Sequence, residues 1–265
     1  MLKHLGPIAK TKLLEIFNNT WQKEQVPQIW REANMMPVHK AGKKRNDAKS
    51  YRPISLTSCI GKVMERIINT RLTWYLERNG IITPEQAGFR QHHSTEDQVT
   101  YIAQKIEDGF QDKHHTLTVW LDMEKAFDKV WKDGLRLKLK QCGVSGHMYQ
   151  WISQFLTNRK ARVHVNGAYS RKKVLKEGVP QGGVLSPTLF LVFINDIIKD
   201  LPRNIKGAIY AVIWCSEEHL TTVQNRFQQA LDRLSEWKQK WLVKINAAKT
   251  TFTIFSLSAT KNKTA

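Results

Sequence analysis

Residues 116–122, TLTVWLD, alternate strictly between two kinds of side chain, and this alternation constrains the fold more than any other feature of the chain. Successive side chains of a strand point to opposite faces, so Leu117, Val119 and Leu121 share one face and Thr118, Trp120 and Asp122 the other. The stretch is therefore a strand that ends on an acid, on the face opposite the aliphatic one. Residues 123–131, MEKAFDKVW, drop the alternation and read as a helical turn. Asp122 is delivered from a strand end straight into the next element.

A second stretch, residues 178–187 (GVPQGGVLSP), is a Gly-rich loop that runs onto a helix start. Ser186 suits the N-cap and Pro187 the first helical position. Elsewhere, Val63, Ile67, Leu72 and Leu76 recur at helical spacing, with Gly80 where a C-terminal cap belongs. Another helix is expected from Ser94 as N-cap, with Asp97 three residues on and a stripe of Val99, Ile102, Ile106 and Phe110. Residues 161–165 and the segment after Asn166-Gly167 form an expected hairpin, since Asn-Gly suits a type I′ turn. A long amphipathic helix is expected near residues 217–241, with Leu220, Val223, Phe227, Leu231, Leu234, Trp237 and Trp241 inward. Strands interleaved with helices make the fold class α/β (α+β).

Forty-two Lys and Arg stand against 23 Asp and Glu, a formal net charge of +19. An excess of this size favours polyanionic partners such as nucleic acid or an acidic membrane surface. Cys59, Cys142 and Cys215 are odd in number and far apart, so neither a zinc cluster nor a disulfide framework is expected. No apolar run approaches the ~18 residues of a membrane span. The first ten residues lack the apolar core of a signal peptide, so the nucleus or cytoplasm is the expected compartment.

Residues 116–131 and 178–187 together resemble the palm of a reverse transcriptase, in the version found in non-LTR (LINE-type, jockey-like) retrotransposons. The resemblance covers nearly all 265 residues. It implies a right-hand polymerase fold of fingers and palm without a thumb: an N-terminal extension and fingers over about 1–115, then mainly palm over about 116–255. It also implies RNA-directed DNA synthesis from deoxynucleoside triphosphates on an RNA template and a DNA primer, with Mg2+. Such chemistry is an in-line displacement at phosphorus between two divalent ions ~3.5–4 Å apart, and magnesium takes carboxylate and phosphate oxygens. Asp122 matches the family's metal-binding acid, with the Met123 backbone carbonyl adding an oxygen. Phe127 matches the aromatic that lies under the incoming sugar. Asp128 reads as structural, capping or pairing with a nearby Lys.

Within GVPQGGVLSP, Gln181 matches the position beside the incoming nucleotide and template, and Gly182 and Gly183 let backbone approach a nucleotide closely. PVHKAGK followed by SYRPISL is similar to the family's fingers, which places Lys40 and Arg52 on the triphosphate. Arg suits phosphate by its rigid donor fork and Lys by its point charge. Lys43, Lys44 and Arg45 read equally well as a solvated loop. Residues 87–90, AGFR, look like the template-contact segment, with Arg90 as the contact. Residues 242–255, LVKINAAKTTFTIF, resemble the later palm motif, and Lys249 would donate the proton to the leaving pyrophosphate.

The match fails at one place. The family's remaining metal ligands come as Tyr/Phe-Ala-Asp-Asp at a hairpin turn, and this chain reads GAIYAVIWCSEEHL there. Tyr210-Ala211 is present and Val212-Ile213-Trp214 resembles the returning strand, but the acid pair and one apolar residue between Ala211 and Val212 are missing. A turn through Ala211-Val212 is poor because β-branched Val resists positive φ, so the two arms are expected to fuse into one strand. Glu217 and Glu218, expected at a helix start, and Asp196, expected inside a helix, do not reach the turn. Three readings remain open: an inactive decayed copy, a live enzyme whose coding sequence is misassigned at that junction, and a non-catalytic nucleic-acid-binding remnant. On each of them the chain is expected to be a fragment, without the endonuclease or thumb of a complete element, and its oligomeric state is open.

Overall fold

The computed structural model describes residues 4–208 and 212–257. In chain order the elements begin with α1 (Pro7–Gln22), β1 (Glu32–His39), β2 (Tyr51–Leu56), α2 (Cys59–Arg78) and α3 (Thr95–Gln111). Next come β3 (His115–Trp120), α4 (Lys132–Gln141), α5 (Gly146–Leu156), β4 (Lys160–Val165), β5 (Ala168–Tyr169) and β6 (Lys173–Val174). The last are α6 (Ser186–Ile194), β7 (Lys206–Ala208), β8 (Val212–Glu217), α7 (Leu220–Lys240) and β9 (Thr251–Phe255). The chain forms two compact units interleaved in sequence: one of Met1–Ile81 with Phe127–Val192, the other of Ile82–Ala126 with Phe193–Ala265.

The first unit is built on a sheet of order β2-β1-β4-β5, with β6 also on β4. β1 runs antiparallel to β2 and parallel to β4. Its helical core holds Ile68, Leu72 and Leu76 of α2, Leu135 and Leu139 of α4, and Trp151, Ile152, Phe155 and Leu156 of α5, all essentially shielded from water. Leu72 and Leu76 of the expected α2 stripe are buried, but its first half is turned by one residue. Met64 and Ile68 are buried whereas Ile67 is exposed, because Glu65 beside them is also drawn inside. The expected hairpin forms between β4 and β5, with Asn166 at φ 47° and Gly167 at φ 80°, the positive pair a type I′ turn requires.

The second unit is an antiparallel sheet of order β7-β8-β3-β9. α3 starts with the expected capping box: the Ser94 side chain accepts from the Asp97 N–H, and the Asp97 carboxylate accepts from the Ser94 N–H. It covers the sheet face of Thr116, Thr118, Val212 and Trp214 with Ile102 and Ile106. Both threonines are therefore fully buried, and only Trp120 and Asp122 of that face emerge. Leu117, Val119, Ile213 and Cys215 are buried on the other side, where α7 brings Val223, Phe227, Ala230 and Leu234. α7 starts three residues later than expected, and its Leu231 is exposed.

The two arms around the failed motif do not fuse. β7 and β8 pair antiparallel with Ala208 opposite Val212, so Val212 opens a strand and is no turn residue. Tyr210 and Ala211 lie outside the described residues.

Candidate active site

Asp122 follows β3 by two residues, and its loop is held by the segment after α7. The Asp122 carbonyl accepts from the Asn246 N–H at 2.7 Å, and the Glu124 N–H donates to the Lys244 carbonyl at 2.8 Å. These two bonds flank an antiparallel bridge between Met123 and Ile245, so the Met123 carbonyl is not consumed by that bridge. The Asn246 side chain donates to Asp122 Oδ2 at 3.2 Å, and Lys249 Nζ lies 3.6 Å from the same oxygen. Asp122, Met123 and Lys249 are thus brought together as expected. Asn246 was not singled out from the sequence; an Asn ahead of a turn, where its carbonyl accepts from the N–H groups of Lys249 and Thr250, was the available signal.

The failed junction lies at the same end of the sheet, because Val212 stands opposite Trp120, two residues before Asp122. The other candidate acids lie elsewhere. Glu217 ends β8 rather than starting a helix and stands opposite His115. It is paired with Arg226, ~17 Å along the strand from Trp120. Asp196 lies in turns past the end of α6 and accepts from the Trp237 indole N–H at 2.9 Å. Among the described residues no cluster of three or more acids, histidines or cysteines could hold a metal ion. The donors present are one carboxylate and one carbonyl. They do not fit a pair of dications, which repel each other and need shared anionic oxygens.

The remaining family-matched residues, except Arg90, lie in the first unit. There the two motifs read first in the sequence are bonded to each other. The Val179 N–H donates to the Phe127 carbonyl and the Gly178 N–H to the Val130 carbonyl, both at 2.8 Å. A Cβ on Gly178 would stand 2.5 Å from the Asp128 carbonyl oxygen, at φ +84°, so only glycine fits. Phe127 stacks on Phe190 of α6 with ring centroids 4.9 Å apart. The loop then lies along β2: the Ser55 N–H donates to the Gln181 carbonyl at 2.7 Å, and Gly182 sits against the Ser55 carbonyl. The Gln181 amide oxygen is buried without a hydrogen-bond partner. Arg52 is exposed on β2, and Lys40 donates from Nζ to the Lys49 carbonyl at 2.8 Å.

One further residue, distant in sequence and without a local motif around it, holds this loop. Glu65 of α2, 2 % exposed, accepts on Oε2 from the N–H groups of Val184 and Leu185 at 2.7 and 3.2 Å. It satisfies donors at the start of α6, and the expected Ser186 cap does not form: the Ser186 hydroxyl is buried without a partner. A carboxylate outcompetes a hydroxyl for such donors because charge-assisted bonds are stronger. Burial pushes the Glu65 carboxyl above the usual range, opposed by those two N–H groups and by the charge of Arg159. Arg159 is also buried and donates to the Phe155 carbonyl; burial brings its pKa down to about 10. Gly183 is tied to this arrangement, since a Cβ there would meet Ser186 Oγ at 2.7 Å and Glu65 Oε2 at 3.1 Å. Its lack of a side chain is already required by packing within the unit.

Arg90, in the second unit, donates from Nη1 to the carbonyls of Thr83 and Gln86 at 2.9 and 2.8 Å, holding its own loop.

One unit thus carries an acid just past an inner strand of an antiparallel sheet, and the other a Gly-rich loop laid along the sheet strand β2. Residues 38–264 match the family described as reverse transcriptase (RNA-dependent DNA polymerase), and the chain belongs to that family. It is similar to the probable RNA-directed DNA polymerase from transposon BS of Drosophila melanogaster, at 35% identity over 100% of this chain and 30% of that protein. It is also similar to the RNA-directed DNA polymerase from mobile element jockey of the same species, at 33% identity over 88% of this chain and 26% of that one. The chain therefore spans under a third of the length of these relatives, and it is a reverse transcriptase domain of the non-LTR retrotransposon type. Among solved structures, apo telomerase from Candida tropicalis, truncated from its C-terminal domain, matches at TM-score 0.61 and 13% identity, over 94% of this chain and 56% of that one. The fold is the right-hand polymerase fold.

Proposed function

We propose that this chain is the fingers and palm of an RNA-directed DNA polymerase that has kept its nucleotide-binding side and lost its chemistry. Lys40 and Arg52 would hold the triphosphate, Phe127 would lie under the sugar, and Gln181, Gly182 and Gly183 would line the base and template. The buried, unpartnered Gln181 amide oxygen supports this, since such an atom calls for a donor. Arg90 would contact the template. Lys249, beside Asp122, would protonate the leaving pyrophosphate. Mg2+ is the metal of this chemistry, but one carboxylate and one carbonyl leave the ion pair without ligands. RNA template, DNA primer and deoxynucleoside triphosphates are the partners that follow, in the nucleus or cytoplasm. No described helix is long and apolar enough to cross a membrane.

The observation that carries this reading is the register Trp120 opposite Val212, with no acid anywhere in residues 208–216. Primer extension on an RNA template, with magnesium or manganese, is expected to give no product; sustained DNA synthesis by the purified chain would overturn the loss of chemistry. The net charge of +19 favours a second reading beside it, a non-catalytic remnant that still holds nucleic acid. The persistence of β7 and β8 as a paired hairpin favours a misassigned junction in a live enzyme. Sequencing the coding region across Tyr210–Trp214 separates that case from a true deletion.

A further inference from the structure

The hairpin of β4 and β5 takes no part in the site above. Residues 160–176, KARVHVNGAYSRKKVLK, contain Lys160, Arg162, Arg171, Lys172, Lys173 and Lys176 and no acid. Lys172 pairs with Glu32 of β1 at 2.6 Å, and that bond holds the Glu32 carboxyl below the usual range. Arg171, Lys173 and Lys176 are exposed and have no acidic partner among the described residues.

A stack of planar groups stands among these cations. The rings of His164 and Tyr169 lie with centroids 4.2 Å apart and planes 10° from parallel. The Arg162 guanidinium carbon is 3.9 Å from the Tyr169 centroid. Two groups that close to one centroid cannot share a face without overlapping, so Tyr169 lies between Arg162 and His164. Arg162 is steadied by donating from Nε to Asn34 Oδ1 at 2.9 Å. Asn34 is in register with Arg162 on one side and Leu56 on the other, and Val38, four residues on and so on the same face, is in register with Arg52. The stack and Arg52 therefore lie on one face of one sheet, with β2 and β4 ~10 Å apart across β1.

We propose that this face binds single-stranded RNA, with bases extending the stack on its outer sides and Lys160, Lys172 and the neighbouring cations on the phosphates. Cations alone are the ordinary protection of a sheet edge. A preordered cation–aromatic stack beside them is what unpaired bases require, since every base offers a π-face. An acidic peptide would use the charges and leave the stack idle. The inference rests on the reading of the chain as an RNA-templated polymerase domain, and adds a surface to it.

The test is fluorescence anisotropy with labelled oligouridine over a salt series. Arg162→Ala combined with Tyr169→Ala is expected to weaken binding about tenfold or more, and to reduce the slope of log K against log salt by about one. Tyr169→Phe keeps the ring and is expected to bind like the parent. Unchanged affinity and slope in a double variant with parental circular dichroism overturn this inference and leave the proposed function standing. A parent chain that does not bind RNA at low salt overturns both. Should the double variant unfold, 4-thiouridine crosslinking of the unaltered chain decides: crosslinks at His164 or Tyr169 support the face, and crosslinks confined to other peptides overturn it.

Discussion

The two compact units hold their family-matched residues in opposite ways. In the first unit the Gly-rich loop is fastened from inside by Glu65, 2 % exposed, which accepts from the N–H groups of Val184 and Leu185. In the second, Asp122 and Lys249 have side chains 41% and 69% exposed, on a loop held by a few surface bonds. A group built into the core resists change, because altering it leaves buried polar groups unsatisfied. A group built on surface connections tolerates change at little structural cost. On the proposed reading the acid pair was lost at such a place, beside strands β7 and β8 that remain paired.

Substitutions sharpen that contrast. The largest effect is expected for Glu65→Ala, which orphans two buried N–H groups and leaves Arg159 without a carboxylate. A loss of about 2–4 kcal/mol is expected from denaturant unfolding. Asp122→Ala in the second unit should stay within about 0.5 kcal/mol of the parent. Equal losses in the two variants would break the comparison. Gly178→Ala comes next, at about 2–3 kcal/mol, since the added methyl meets the Asp128 carbonyl at positive φ. Its measure is the same unfolding midpoint.

A pH effect follows from Lys132, which donates to the Leu175 carbonyl and whose pKa burial lowers from 10.5 to about 8. Between those values the unfolded chain binds the extra proton, so stability rises with pH over that window. Measured against Lys132→Met, which does not titrate there, the parent should gain on the order of 1–2 kcal/mol from pH 8 to 10. A flat difference would show that Lys132 keeps its proton. The smallest effect is Asn246→Ala, under about 0.5 kcal/mol in thermal unfolding, because it loses the same side-chain bond that Asp122→Ala loses while the backbone bond to the Asp122 carbonyl remains.

What was legible in the sequence was local. The Ser94–Asp97 capping box and the Asn166-Gly167 turn need only neighbours a few residues away, and both formed as expected. The alternation of residues 116–122 placed Asp122 at the strand end, though not α3 over the near half of its face. The departures came from distant partners. Glu65 reaches Val184 across 119 residues, which turns the α2 stripe by one position and displaces Ser186 as the cap. No periodicity or propensity encodes that pairing. The strands at the failed motif depart from expectation for a related reason: local propensity points to a poor turn at Ala211-Val212 and fused arms, but pairing of Val212 with both Trp120 and Ala208 keeps it in a strand of its own.

The most direct measurement is single-nucleotide incorporation by a matched pair: the chain as it stands, and the same chain with Asp-Asp inserted between Ala211 and Val212. Equal binding of an RNA template annealed to a DNA primer serves as the loading check. Incorporation by the restored chain alone is the predicted result. Incorporation by the unaltered chain at the same rate would contradict the claim that half of its metal site is gone.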